Sequence, residues 1–228
     1  MAVIVLSGAN QANAQGTFEN LNFEDATIVP ISGEPYAITV ANALPDWTVN
    51  YGTVQQTQIY YNGPSLGETQ ATLNANGYPG TPGPILDDDF SLELQGGAIN
   101  GVRTSVSVSQ TGQIPSGTQT LLFNSTSPFY PPEPPEVFIG NDQLTLFPVG
   151  SGTAVSGGSY TVFGASISTW AGETEQLSFT VPGGGGNFTI DDISFSPTAV
   201  VPEPSPLALA GIGTILFALY RRWDTMRQ

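Results

Sequence analysis

Between Phe18 and Phe195 apolar residues recur at every second position, and a chain with that period can bury them only as strands. Tyr36, Ile38 and Val40 share one face; Trp47, Val49 and Tyr51 continue the pattern after a turn at Pro45-Asp46. Phe90, Leu92 and Leu94 alternate with Ser91, Glu93 and Gln95, while Leu177, Phe179 and Val181 form another apolar edge. Further strands are predicted at 17–23, 56–61, around Val106 and Val108, at 118–124 and at 160–163. Gly140-Asn-Asp-Gln143 has the composition of a hairpin turn that pairs 137–139 with 144–147. Residues 62–88 read as a long loop, Pro128 to Pro135 as a surface excursion, and 166–172 as a connection with one helical turn. No stretch before residue 205 is rich in strong helix formers, and 27 Gly and 19 Pro punctuate the chain.

The last strand carries a sharper constraint. Phe188 and Ile190 fall on even positions, whereas Ile193 and Phe195 fall on odd ones. All four can face one core only if an extra residue interrupts the ladder, so a bulge is predicted at Asp191-Asp192. The expected body is one all-β domain over 16–197: an antiparallel β-sandwich of about ten strands whose first and last strands pair.

Charge and missing residue types exclude several functions. The net charge is -15, and three of the four basic residues (Arg221, Arg222 and Arg227) lie at the C-terminus, leaving Arg103 in the body. Such a body repels phosphate backbones and anionic lipid surfaces, so nucleic acid is not a partner. There is no Cys and no His, which removes disulfides, thiol and imidazole nucleophiles and the common zinc sites.

Both ends read as targeting. Ala2-Val-Ile-Val-Leu6 followed by Ala12-Asn13-Ala14 fits the remnant of a signal peptide over 1–15. At the other end stand a Pro-rich linker (198–206), an apolar run (207–220) expected to be a single transmembrane helix, and a basic tail (221–228) expected to be cytoplasmic. Val201, Pro202, Glu203 and Pro204, the apolar run and Arg221-Arg222 resemble the PEP-CTERM sorting signal of exported Gram-negative proteins. That resemblance implies processing by an exosortase-type enzyme near Pro-Glu-Pro, a transient inner-membrane anchor, and delivery to the cell envelope or the extracellular polysaccharide matrix. Its 14-residue run is shorter than the roughly 20 that span comfortably, which favours a temporary hold.

The opening NLNFE, the Trp after Pro-Asp, the SQTGQIPSGTQTLLF middle, the ISTWAGETEQLSF corner and the closing TIDDISFSP resemble the galactose-binding-like jelly rolls of carbohydrate-binding modules. The resemblance spans about 17–197 and implies a jelly-roll-like sandwich that binds polysaccharide. If first and last strands are neighbours, Glu24-Asp25 and Asp191-Asp192 converge, and oxygen donors without His suit calcium. The resembled jelly rolls imply a structural calcium whose ligands here are Glu24 and Asp192. Asp87-Asp-Asp89 reads as a solvated acidic run, since its spacing is not that of a calcium loop. Tyr60, Tyr61 and Tyr78, beside the long loop, are candidates for stacking on a sugar face, whereas Trp47 and Tyr51 at strand spacing read as core. Glycoside hydrolysis by a carboxylate pair is the competing class, but nothing selects two acids as that pair, so a non-enzymatic protein is expected.

Overall fold

The computed structural model describes residues 16–63, 67–77, 83–126, 135–184 and 186–200. Two sheets face each other across one apolar core, as the alternation requires. The elements in order are β1 (Pro30–Ile31), β2 (Glu34–Thr39), a helical turn α1 (Val40–Ala43), β3 (Thr48–Tyr51), β4 (Val54–Gln55), β5 (Gln58–Tyr61) and β6 (Gln70–Ala75). Then come β7 (Phe90–Ile99), β8 (Val102–Thr104), β9 (Val106–Gln113), β10 (Thr120–Thr126), β11 (Glu136–Ile139), β12 (Asp142–Gln143) and β13 (Phe147–Thr153). The chain closes with β14 (Ser159–Ser166), a 3-10 turn (Ser168–Trp170), β15 (Thr174–Val181) and β16 (Gly186–Ser196). The larger sheet runs β1-β2-β5-β6-β7-β16-β10-β14-β13, with β8 paired to β7; the smaller runs β12-β11-β15-β9-β3-β4. All pairings between named strands are antiparallel except β5 with β6.

Apolar alternate residues of both sheets meet in the middle. Phe123 of β10 packs edge-on to Phe179 of β15 with ring centroids 5.1 Å apart and stacks on Phe163 at 5.7 Å, so one ring ties the two sheets. Trp47, Val49, Val106, Val108, Leu177 and Val181 fill the smaller sheet's side of the core.

The expected bulge is present. On β10, Leu122 pairs with Ser194 and Asn124 with Asp191, so two steps on β10 match three on β16. The extra residue takes Asp192 to φ 49°, and Phe188, Ile190, Ile193 and Phe195 all reach the core.

Other expectations need correction. Residues 17–25 form turns, not a first strand, and β16 lies inside the sheet between β7 and β10. The opening segment reaches β16 through a hydrogen bond from Ile193 N to Leu21 O and through the Phe18 ring against Phe195, centroids 5.0 Å apart. It is latched at its other end, where Trp47 Nε1 donates to Asn20 O at 3.0 Å. The run 62–88 contains a strand, β6, in which Ala71 and Leu73 face the core while Gln70, Thr72 and Asn74 are buried on the other side. Polar residues on the outward positions hid it, because they read as loop when their burial is unknown. The turn at Gly140 pairs 137–139 with only Leu144 and the two residues of β12; from Phe147 the chain belongs to the other sheet, paired with β14. Val40 begins the helical turn and does not continue β2.

The outward face of β6, β7 and β16 is covered from above. Ile85 and Leu86, each 1 % exposed, lie there with the β13–β14 loop: Ile85 N donates to Ser156 Oγ, Ser156 N to Ile85 O and Val155 N to Leu86 O. Beneath them Ser91, Glu93, Thr189 and Asp191 are buried although polar.

The sheet margins are short or interrupted. β1 has two residues and begins with Pro30; β12 and β4 have two each; β13 carries Pro148 and a register shift between Pro148 and Gly150.

Candidate functional site

Three backbone segments meet at one corner of the larger sheet: the opening segment at Phe23-Glu24, the turn at 87–89, and the bulge of β16. Each turns there through left-handed backbone, with Phe23 at φ 61°, Asp88 at 44° and Asp192 at 49°. Such conformations are uncommon for residues other than Gly and persist only where surrounding contacts enforce them.

Those contacts are hydrogen bonds to carboxylates. Glu24 Oε1 accepts from Asp89 N at 3.1 Å and Phe90 N at 2.8 Å, binding the opening segment to the start of β7. Asp191 Oδ2 accepts from Ser91 Oγ at 2.7 Å and Asp87 N at 3.3 Å; its Oδ1 accepts from Asp192 N. Asp192 Oδ2 accepts from Asn124 Nδ2 at 2.9 Å. Thus Glu24 and Asp192, expected near each other, stand at one corner, and the acidic run at 87–89 is tied to them through its backbone while Asp88 and Asp89 stay exposed to solvent as expected.

Among the described residues no basic side chain balances this charge. Burial pushes the Asp191 carboxyl up to about 8, and the Asp192 charge adds to the rise. Burial also raises Asp192, helped by Asp87, Asp88 and Glu24, and burial likewise raises Glu24 against its two backbone hydrogen bonds. As placed, no three carboxylates among the described residues converge closely enough to hold a metal ion.

Beside the corner lies a cleft of about 460 Å3. Leu122 and Val162 contribute apolar surface to it; Asn22, Asn124, Asp192 and Ser194 contribute polar surface. Sequence reasoning missed it because the two strands that supply Leu122 and Val162 become neighbours only through the sheet order.

A second cleft, of about 290 Å3, lies at the other side of the larger sheet. Tyr60, 37 % exposed, lines it with Glu34, Gln56, Gln58, Glu68 and Ile99. Tyr51 also reaches it; its phenol accepts a hydrogen bond from Ala71 N, and burial pushes that phenol up to about 12. The three tyrosines expected to act together therefore separate. Tyr61 pairs with Leu73 and packs against the core, so it is no part of an exposed platform. Tyr78 lies outside the described residues, as do Val201, Pro202, Glu203, Pro204, Arg221 and Arg222.

Between the clefts, under the 83–87 cover, sits Glu93, 6 % exposed. Asn74 and Asn187 donate their side-chain amides to its two oxygens. A Cβ at Gly83 would stand 2.1 Å from Glu93 Oε2, so only glycine lets the cover approach this carboxyl. Burial raises Glu93 above the ordinary carboxylate range despite both amides.

Residues 200–222 match the PEP-CTERM protein-sorting motif, which indicates an exported protein. No curated relative matches the chain. Among solved structures it is similar to TmCBM27, a carbohydrate-binding module described for its specific mannan recognition, at 12 % identity and a TM-score of 0.32 over 70 % of this chain and 94 % of that one. Among the described residues no helix is long and apolar enough to cross a membrane; the expected span at 207–220 lies outside them.

The buried acids set a pH dependence. Glu93 and Asp191 hold protons more tightly folded than unfolded, so their contribution is fully present below the ordinary carboxylate pKa and is lost as pH rises, for Asp191 through about 8. The melting temperature is expected to fall between about pH 4 and 8. Glu93→Gln, which keeps the shape and needs no proton, should flatten that fall and melt higher than wild type at pH 8 in calorimetry. An unchanged slope would remove Glu93 as a source.

Proposed function

We propose that this chain is a non-enzymatic cell-envelope or extracellular-matrix protein of a Gram-negative bacterium, held in the inner membrane by its C-terminal segment until an exosortase-type enzyme processes it. The observation that carries the reading is the sorting motif at 200–222, placed directly behind the last strand, which ends at Ser196. Prolines at 202, 204 and 206 disfavour helix and sheet pairing, which suits a sequence that a processing enzyme must read. The body's charge is consistent with life outside the cytoplasm, where a highly acidic surface favours solubility. Changing Pro202, Glu203 and Pro204 together to Ala, in a host that has the enzyme, should leave a full-length chain in the membrane fraction. Unchanged shortening and release would overturn the reading.

The sandwich, in this reading, binds polysaccharide through the cleft at Tyr60. An aromatic ring of that exposure offers an apolar face for a sugar ring, while Gln56, Gln58, Glu34 and Glu68 offer hydrogen-bond partners for hydroxyls. Tyr60→Ala should weaken binding about tenfold, or about 1.4 kcal/mol, in polysaccharide-affinity electrophoresis. Full retention of binding would exclude this placement.

A structural calcium at Glu24 and Asp192 completes the reading. The donors are all oxygen, the carboxylates repel one another, and a divalent cation drawn between them would relieve that repulsion. Calcium at about 100 times its Kd should stabilise the fold by about 2.7 kcal/mol. Thermal melts with calcium and with chelator test this: the shift should vanish in Asp192→Asn, and identical melting of wild type under both conditions would dispose of the ion.

A further inference from the structure

We propose that the cleft at the β16 bulge is a second binding site, taking one neutral sugar residue independently of the cleft at Tyr60, so that a single module engages two glycan segments. This rests on the reading that the sandwich binds polysaccharide.

The chemistry of the cleft selects the ligand. Its lining is divided: Leu122 and Val162, adjacent outward-facing side chains of β10 and β14, are half-buried and apolar. Around them stand a neutral amide at Asn22, a second at Asn124, a hydroxyl at Ser194 and the carboxylate of Asp192. The apolar shelf continues past Val162 to Gly164, where the space a Cβ would enter is bounded by Val149, Phe147 and Leu122 at 3.0–3.4 Å. At the shelf's other end Tyr160 hydrogen-bonds with Asn124. A ligand that matches has one face of C–H groups and a rim of hydroxyls, which is the shape of a sugar ring. A volume of about 460 Å3 lies in the range of small-molecule sites.

Charge narrows the class. Asp192 is the one acid that lines the cleft, with Asp87, Asp88 and Glu24 close behind it, and Arg103, the single cation among the described residues, lies against Gly184 in another part of the fold. Uronates, sulfated sugars and phosphates find no side-chain cation there to pair with, whereas neutral hydroxyls can donate to Asp192.

The two clefts are separate. In the sheet order, β6, β7 and β16 lie between β5, which bears Tyr60, and β10, which bears Leu122. Four steps at about 4.8 Å each place them roughly 20 Å apart. The intervening sheet face is occupied by the 83–87 cover and the β13–β14 loop. One sugar residue cannot touch both, so occupancy of one leaves the other open, and linked sites raise avidity for a polymer.

Titration calorimetry of the full chain with cellotriose, mannotriose and xylotriose, each too short to bridge the two clefts, and with polygalacturonate as the anionic comparison, decides it. At least one neutral oligosaccharide should bind with a stoichiometry of two. Tyr60→Ala should leave one site; Val162→Arg, which fills the shelf, should leave the other; the double variant should bind none. Because Val162 is half-buried, Asn22→Ala at an exposed position serves as the second probe and should weaken the bulge site several-fold without changing the melting temperature. A single site lost in Tyr60→Ala and untouched by Val162→Arg and Asn22→Ala overturns the second site and leaves the polysaccharide reading standing. A single site lost in Val162→Arg and untouched by Tyr60→Ala overturns the pair of sites and moves polysaccharide binding to the bulge. Binding of polygalacturonate at the bulge in preference to the neutral sugars overturns the ligand class. No binding of any neutral oligosaccharide overturns both readings.

Discussion

Side chains on a strand alternate faces, and β16 must nonetheless bury Phe188, Ile190, Ile193 and Phe195 on one side. The extra residue at Asp192 resolves that conflict, and much of the molecule follows from it. The displaced backbone turns Asp191 and Asp192 to the outward side, where Ser91, Asn124 and the 87–89 turn meet them. The kinked strand also leaves room beside Ser194 and Asn22 for the larger cleft. Core packing and site formation are thus two outcomes of one register shift.

Much of the fold was legible because apolar alternation is a local signal. The broken parity at 188–195 located the bulge to the residue pair, and Val106 and Val108 fell on one strand as their spacing implied. The turn at Asn100-Gly101, both with positive φ between Ile99 and Val102, also had its signature in the dipeptide, though no hairpin was read there. What stayed hidden was non-local. β6 has Gln, Thr and Asn on its outward side because Ile85 and Leu86 cover that face, and no period-two rule reports a cover that comes from a later loop. The opening segment looked like a strand because Phe18, Leu21 and Phe23 are apolar; they are buried, but from turns latched by Asn20 and Trp47.

The site was legible in part for the same reason. Glu24 and Asp192 were placed together by assuming that the chain's ends pair; they do meet, although by a segment lying against β16 and not by a shared ladder. The acidic run at 87–89 is solvated at Asp88 and Asp89, as three neighbouring charges suggested; hidden from the sequence was that its backbone amides are bound by Asp191 and Glu24. Tyr60 and Tyr61 were grouped by adjacency, and adjacency in a strand guarantees opposite faces. Both clefts draw on residues tens of positions apart, which only sheet order brings side by side.

The short margins of the two sheets have a meaning for an exported chain wherever it meets its own copies. A long, flat outer strand is a template on which another copy can add. Here β1, β4 and β12 offer two residues each, and β13 is broken by Pro148 and a shifted register. Backbone pairing between copies has almost nowhere to begin. Crowding can therefore concentrate such modules without converting them into fibrils, and contacts with neighbours are left to side chains.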